Sequence, residues 1–184
     1  DQVHSNNVYK ISKIPKKKLK GDSLVTNKKG IALGILTADC APVLMYDPVN
    51  NLIGALHAGW KGAYKKIVFT TLRKFESSGS NFKNLIVVIG PCIGKENYEV
   101  RNDLLDKFIN QDASNKKFFK IKRDKIYFSL KDYIKEQFVK SGVKNIEIIR
   151  KDTYKLSNNL FSARRSIKNK LHDYGRNISV IMIK

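Results

Sequence analysis

Cysteine is scarce in this chain of 184 residues: Cys40 and Cys92 are the only two. Two thiols cannot build the disulfide framework of a small secreted scaffold, so a reducing, cytoplasmic compartment is the expectation. Long apolar runs are missing as well. None approaches the roughly 18 residues that a membrane span requires, and no membrane partner is expected. The opening residues Asp1-Gln2-Val3-His4 lack the apolar core of a secretory signal. The chain starts on Asp1 rather than Met, and a truncated chain, a processed chain or an incomplete reading frame is the expectation from that.

Acidic residues are few, 16 against 36 Lys and Arg, giving a formal charge of +20. Arginine is also thin within that excess: Arg73, Arg101, Arg123, Arg150, Arg164, Arg165 and Arg176 stand among a majority of lysines. Base readout in nucleic acids favours the bidentate guanidinium fork, and no helix-turn-helix, RRM or zinc-finger spacing occurs. Specific nucleic-acid binding is therefore not the expected main role. The charge still attracts anions, and phosphate-bearing ligands most of all.

What is present suffices for a core: 42% of residues are apolar and 10% aromatic, which excludes global disorder. Ile31 to Leu36, Val43 to Tyr46 and Leu52 to His57 read as short strands. The turn Asp47-Pro48-Val49-Asn50-Asn51 joins the last two into a hairpin. Tyr64, Ile67, Val68, Thr71, Leu72 and Phe75 recur at helical spacing, so one helix should run from Gly62 to the Ser77-Ser78-Gly79 stop. Leu85 to Ile89 reads as a strand, and Leu104, Leu105 and Phe108 mark a short helix after Arg101. Gln111 to Lys117 reads as a loop. Ser129 with Asp132 forms a capping-box pattern before a helix striped by Leu130, Tyr133, Ile134 and Phe138. Ile146 to Ile149 and Ile178 to Ile183 read as buried strands. The result is one α/β domain over residues 1–184 with a mixed sheet and no internal repeat.

With three histidines in the chain, their placement carries information. Cys40 follows a strand in Thr37-Ala38-Asp39-Cys40-Ala41-Pro42. His57 ends another in His57-Ala58-Gly59-Trp60-Lys61-Gly62. If the strands are neighbours, thiol and imidazole meet, either as a nucleophile with its base or as two ligands of a zinc site. His4 is the candidate third ligand. It would complete a Cys/His/His set with an open fourth position, the arrangement of a catalytic rather than a structural zinc. Asp39 either orients a ligating imidazole or braces the turn before Cys40. Arg164 and Arg165, adjacent in a lysine-dominated chain, read as a phosphate clamp or as a solvated basic turn. The glycine-bearing turns at Gly59 to Gly62, Gly90 to Gly94 and Tyr174 to Arg176 can present N–H groups to an anion or serve as ordinary turns. Cys92 reads as a packing thiol and His172 as a surface histidine.

In order along the chain, Gln2-Val3-His4-Ser5, Leu36-Thr37-Ala38-Asp39-Cys40-Ala41-Pro42-Val43-Leu44, His57-Ala58-Gly59-Trp60-Lys61-Gly62, Ile89-Gly90-Pro91-Cys92-Ile93-Gly94, Tyr98-Glu99-Val100 and Phe161-Ser162-Ala163-Arg164-Arg165 occur. Together they resemble the laccase-domain (YfiH-type) family, formerly called polyphenol oxidases and regarded as purine nucleoside phosphorylases with adenosine deaminase activity. The resemblance runs from Gln2 to the C-terminal strand. It implies a layered α-β-β-α sandwich with mixed sheets, shared with toxin deamidases that use a Cys–His pair. It also implies a metal, usually taken as zinc, held by His4, Cys40 and His57, with copper as the alternative. The implied substrates are phosphate and purine nucleosides: adenosine, inosine, guanosine and methylthioadenosine for phosphorolysis, and adenosine for deamination. On that reading Lys61, Arg164 and Arg165 bind the anion and Asp39 shuttles a proton. Lys61 stands where the family more commonly has arginine, keeping the charge without the fork.

The family also carries a segment before the Gln-Val-His motif, with a glycine- and asparagine-containing stretch that approaches the site, so its absence here bears on activity. A homo-oligomer is compatible with the sequence. Three rival readings stay open: a metal-free thiol hydrolase or deamidase using Cys40 and His57, a copper polyphenol oxidase, and an inactive basic binding module. The copper oxidase is the weaker enzyme reading, since one thiolate with two or three histidines cannot furnish both a mononuclear and a trinuclear centre.

Overall fold

The computed structural model describes all residues, 1–184. Its elements are β1 (Val8–Lys10), β2 (Ser23–Thr26), β3 (Ala32–Thr37), β4 (Ala41–Asp47), β5 (Leu52–Ala58), α1 (Trp60–Tyr64), α2 (Ile67–Glu76), β6 (Ile86–Ile89), β7 (Glu99–Val100), α3 (Asn102–Gln111), β8 (Phe119–Lys122), β9 (Lys125–Phe128), α4 (Leu130–Lys140), β10 (Asn145–Ile148), α5 (Ala163–Lys168) and β11 (Asn177–Met182). The main sheet has the order β1-β2-β5-β4-β6-β10. Its outer pairs, β1 with β2 and β6 with β10, are parallel, and its inner pairs are antiparallel. The architecture is thus α/β with mixed sheets. No helix is long and apolar enough to cross a membrane.

Side-chain alternation along a strand separates the two faces. Val43 and Met45 of β4 join α2 and α4 in the larger core, whereas Leu44 and Tyr46 point to the opposite face. Every residue of β5 is buried, the signature of a central strand covered on both sides. On one face Val68, Leu72 and Phe75 of α2 and Ile134 and Phe138 of α4 pack with Phe108 and Phe128. Burying each such ring stabilises the fold by about 1.5–3 kcal/mol. On the other face lies an antiparallel ribbon of β3 and β11, whose Leu33 and Ile35 pack against Ile53 and Ala55 together with Ile183. A third small sheet, β7-β9-β8, flanks the helical side.

The hairpin between β4 and β5 is present, with Asp47 opposite Leu52. The single helix expected from Gly62 is instead two, α1 and α2, parted at Lys66, whose φ of 62° is left-handed. That break sends Tyr64 to the Phe108 ring, 5.3 Å away, while the α2 stripe stays on the sheet. The expected loop from Gln111 to Lys117 contains a 3-10 helix, Ala113–Phe118, begun by Asp112 accepting from the Ser114 N–H. Ser129 opens α4, but its hydroxyl donates to the Asp132 carboxylate and caps no helix N–H. Finally, β11 is not a buried strand. Ile178, Val180 and Met182 are 66%, 49% and 45% exposed because only one side of the ribbon faces the sheet.

Candidate metal centre

The antiparallel pairing of β4 and β5 sets Pro42 opposite His57 and Ala41 opposite Ala58. Cys40, one residue before β4, therefore reaches the same sheet end as His57. The chain enters Cys40 through Asp39, held at a φ of 82°. One Asp39 oxygen accepts from the Thr153 hydroxyl at 2.6 Å and the other from the Arg164 N–H at 2.6 Å. Its carbonyl accepts from the Ile93 N–H. These three anchors hold a backbone conformation that costs a non-glycine residue about 1–3 kcal/mol.

His4 arrives on the N-terminal arm, Asp1 to Asn7, which bends at His4 and Ser5. The Gln2 side chain makes paired hydrogen bonds to the Leu36 backbone, donating at 2.7 Å and accepting at 2.9 Å. The ligand atoms of His4, Cys40 and His57 then lie within 4.8 Å of one another. Cys40 Sγ is 3.7 Å from His4 Nε2, and the two imidazoles meet edge to face at 4.8 Å. Gly59 closes the cradle: a β-carbon there would sit 2.8 Å from Cys40 Sγ and 2.9 Å from His4 Cδ2.

His57 is buried, and its Nδ1 lies 2.8 Å from Asp22. Burial lowers the His57 pKa; Asp22 pushes it back up and His4 lowers it again, and the net direction is down. A neutral ring donating from Nδ1 to Asp22 leaves the Nε2 lone pair for a cation. The Cys40 thiol is pushed up to about 12, by burial first and then by Asp39 and Asp22. A thiol in that setting stays protonated until a cation compensates it. One sulfur and two imidazole nitrogens are donors that suit zinc, and an exposed His4 leaves the outer side open. No other trio of His, Cys, Asp or Glu side chains converges in this way.

The three donors line a cavity of about 900 Å³ between the arm, β3 and the C-terminal turn, into which Lys16, Lys17, Lys18 and Arg176 also face. Lys61, Arg164 and Arg165 do not line it. Lys61 is exposed, 5.7 Å over the Trp60 ring. Arg164 donates to the Glu99 carbonyl, sits 5.4 Å over Tyr98, and lines a smaller cavity of about 380 Å³ with Trp60 and Arg101. Arg165 donates to the carbonyls of Thr153, Tyr154 and Leu160 at 2.7, 2.9 and 2.6 Å. Three of its five N–H donors are thereby engaged with backbone carbonyls, so Arg165 staples the segment from Thr153 to Leu160. Asp39 braces the turn, each of its oxygens accepting one hydrogen bond there.

Cys92 is buried in the main core and His172 is exposed. Sequence reasoning missed Asp22 and Gln2. The signal for Asp22 was its type: an acid just ahead of the short strand Ser23–Thr26, in a chain with few acids.

The family model described as multi-copper polyphenol oxidoreductase laccase matches residues 1–184. A purine nucleoside phosphorylase of Rickettsia prowazekii is 36% identical over 190 residues, covering 100% of this chain and 77% of the relative. Purine nucleoside phosphorylase YfiH of Escherichia coli is 28% identical, covering 90% of this chain and 67% of its own. Among solved structures, the hypothetical protein YfiH of Bacillus licheniformis superposes with a TM-score of 0.88 at 32% identity, over 100% of this chain and 73% of that one. The match to the family runs from the arm bearing His4 to the C-terminal strand, and the chain belongs to the multi-copper polyphenol oxidoreductase laccase family.

Proposed function

We propose that the chain is a zinc-dependent, cytoplasmic purine nucleoside phosphorylase whose metal is held by His4, Cys40 and His57. The observation that carries this reading is the convergence of those donors on the wall of a cavity with room for a nucleoside. The names of the relatives supply the substrate class. In phosphorolysis the bond from ribose C1′ to the purine nitrogen breaks as a phosphate oxygen bonds to C1′, and the purine departs with the electron pair. The protein must hold the dianion in line and balance charge on the departing base.

Lys61 and Arg164 are the proposed anion-binding residues, approaching the cradle from its Trp60 side, while Lys16 to Lys18 and Arg176 supply the positive charge of the larger cavity. The guanidinium of Arg164 spends one nitrogen on the Glu99 carbonyl and keeps the remainder of its fork. His4, Cys40 and His57 would hold a divalent cation, which would supply Lewis-acid polarisation and lower the pKa of a water, chemistry that would also serve deamination of adenosine. Burial keeps His57 neutral while Asp22 orients its ring, and Gly59 leaves the thiol and the His4 ring their space.

The thiol-hydrolase alternative is less well supported. The imidazole within hydrogen-bond reach of the Cys40 sulfur is His4, and burial pushes the thiol up to about 12 rather than toward the thiolate a nucleophile needs. Incubation of the protein with adenosine, followed by chromatography, tests the assignment. Adenine appearing only with phosphate is the expected result, and inosine would add the deaminase activity. If Cys40→Ala leaves metal content and turnover intact, the assignment is wrong.

A further inference from the structure

We infer that Asp22 is the positioning residue that assembles the three-donor site, docking the arm that carries His4 and orienting His57 with one carboxylate. The inference rests on the metal-site reading above. Asp22 is 1% exposed. Its carboxylate accepts from the N–H groups of Val3, His4 and Ser5 at 3.1, 3.0 and 2.6 Å, and from the Ser5 hydroxyl at 2.7 Å. The oxygen that accepts from Val3 and His4 also meets His57 Nδ1 at 2.8 Å, and the other oxygen takes the Ser5 donors. The backbone repeats the link: the Asp22 N–H donates to the Asn7 carbonyl, and the Asp22 carbonyl accepts from the His57 N–H at 2.7 Å.

The conformation of His4 supports the same conclusion. Its φ is 55°, left-handed for a non-glycine residue. Such a residue flanked by ordinary ones turns successive N–H groups to one side, forming a concave anion nest. An isolated left-handed residue is unfavourable, and a buried carboxylate without donors is more so. Each supplies what the other lacks, so the strain at His4 and the charge at Asp22 are relieved together. Two ligands from segments more than fifty residues apart thereby share one anchor, and the geometry at His4 is set before any cation arrives.

Amide hydrogen exchange on the metal-free protein, with zinc and cobalt titrations, tests this. The amides of Val3, His4 and Ser5 should exchange about 100-fold more slowly than an open chain in the metal-free wild type. Asp22→Asn turns an amide donor toward those N–H groups, so their protection should vanish. Metal affinity should then fall about 10–100-fold, and the cobalt charge-transfer and d–d bands should shift. Open-chain exchange at these amides in the metal-free wild type would overturn the inference, and this reading holds even if the variant does not fold. So would a folded Asp22→Asn protein with wild-type affinity and cobalt spectrum. A wild type that binds neither metal but keeps its arm amides protected would instead refute the metal reading and leave the docking role of Asp22 standing.

Discussion

At the scale of single residues, the site depends on what its neighbours leave free. Gly59 leaves space. Its backbone is extended, with a φ of −81°, so alanine is conformationally acceptable there, but the new methyl would press on Cys40 Sγ and the His4 ring. Gly59→Ala should retain a wild-type far-ultraviolet circular dichroism spectrum while binding zinc about tenfold more weakly in a competition titration. Arg165 leaves little free, because three backbone carbonyls engage both terminal nitrogens of its guanidinium. Arg165→Ala should lower stability by about 2 kcal/mol in urea unfolding without changing the KM for phosphate. Arg164→Ala should raise that KM instead.

The trio was legible in the sequence because histidine and cysteine are rare here, and rarity makes position informative. Asp22 was not. A carboxylate that collects donors from an arm seventeen to nineteen residues away and from a strand thirty-five residues away leaves no local pattern. Arg165 is ambiguous for a related reason: a retained arginine does signal geometric demand, yet carbonyl oxygens meet that demand as readily as phosphate oxygens do.

At the scale of elements, the hairpin turn is a pH-sensitive joint. Asp47 is fully buried and accepts from the Val49 and Asn50 N–H groups and the Asn50 side chain. Burial raises its pKa, but the donors of Asn50 and Val49 around it hold it below the ordinary 3.8. A depressed folded-state value means that the stabilisation is complete above the unfolded value and is lost as pH falls through the folded one. Wild-type melting temperature should therefore drop as the pH is taken below about 4, and Asp47→Asn should show a shallower drop over that window. A parallel pair of melting curves would contradict the assignment.

Elements with apolar periodicity, such as β4, β5, α2 and α4, could be read directly. The sheet β7-β9-β8 could not, because its strands are two to four residues long and interleaved with lysine. The break between α1 and α2 was also hidden, since a lysine carries no mark of the left-handed backbone it adopts at position 66.

At the scale of the whole molecule, two layers of different character meet at the site. The helical side holds the larger core, and the ribbon of β3 and β11 covers the opposite face of the sheet. The cradle sits where the end of β3 turns into β4, so it draws on both. A net charge of +20 surrounds it. Exposed charges are screened over about 10 Å at 0.1 M salt, so raising ionic strength from low to high should increase the KM for phosphate more than it changes kcat. A KM insensitive to salt would mean that the surface lysines take no part in drawing in the anion. The charge excess was plain in the sequence. Which cations line the large cavity was not, because Lys16 to Lys18 and Arg176 come together only through the fold.

The most direct test of the central claim is the rate of adenine release from adenosine and phosphate by protein stripped with a chelator and then reloaded with zinc. The account predicts loss of adenine release on stripping and its return at one zinc per chain, with no return in Cys40→Ala. Release that survives stripping, yet is abolished by alkylation of Cys40, would contradict it and identify the thiol itself as the reacting group.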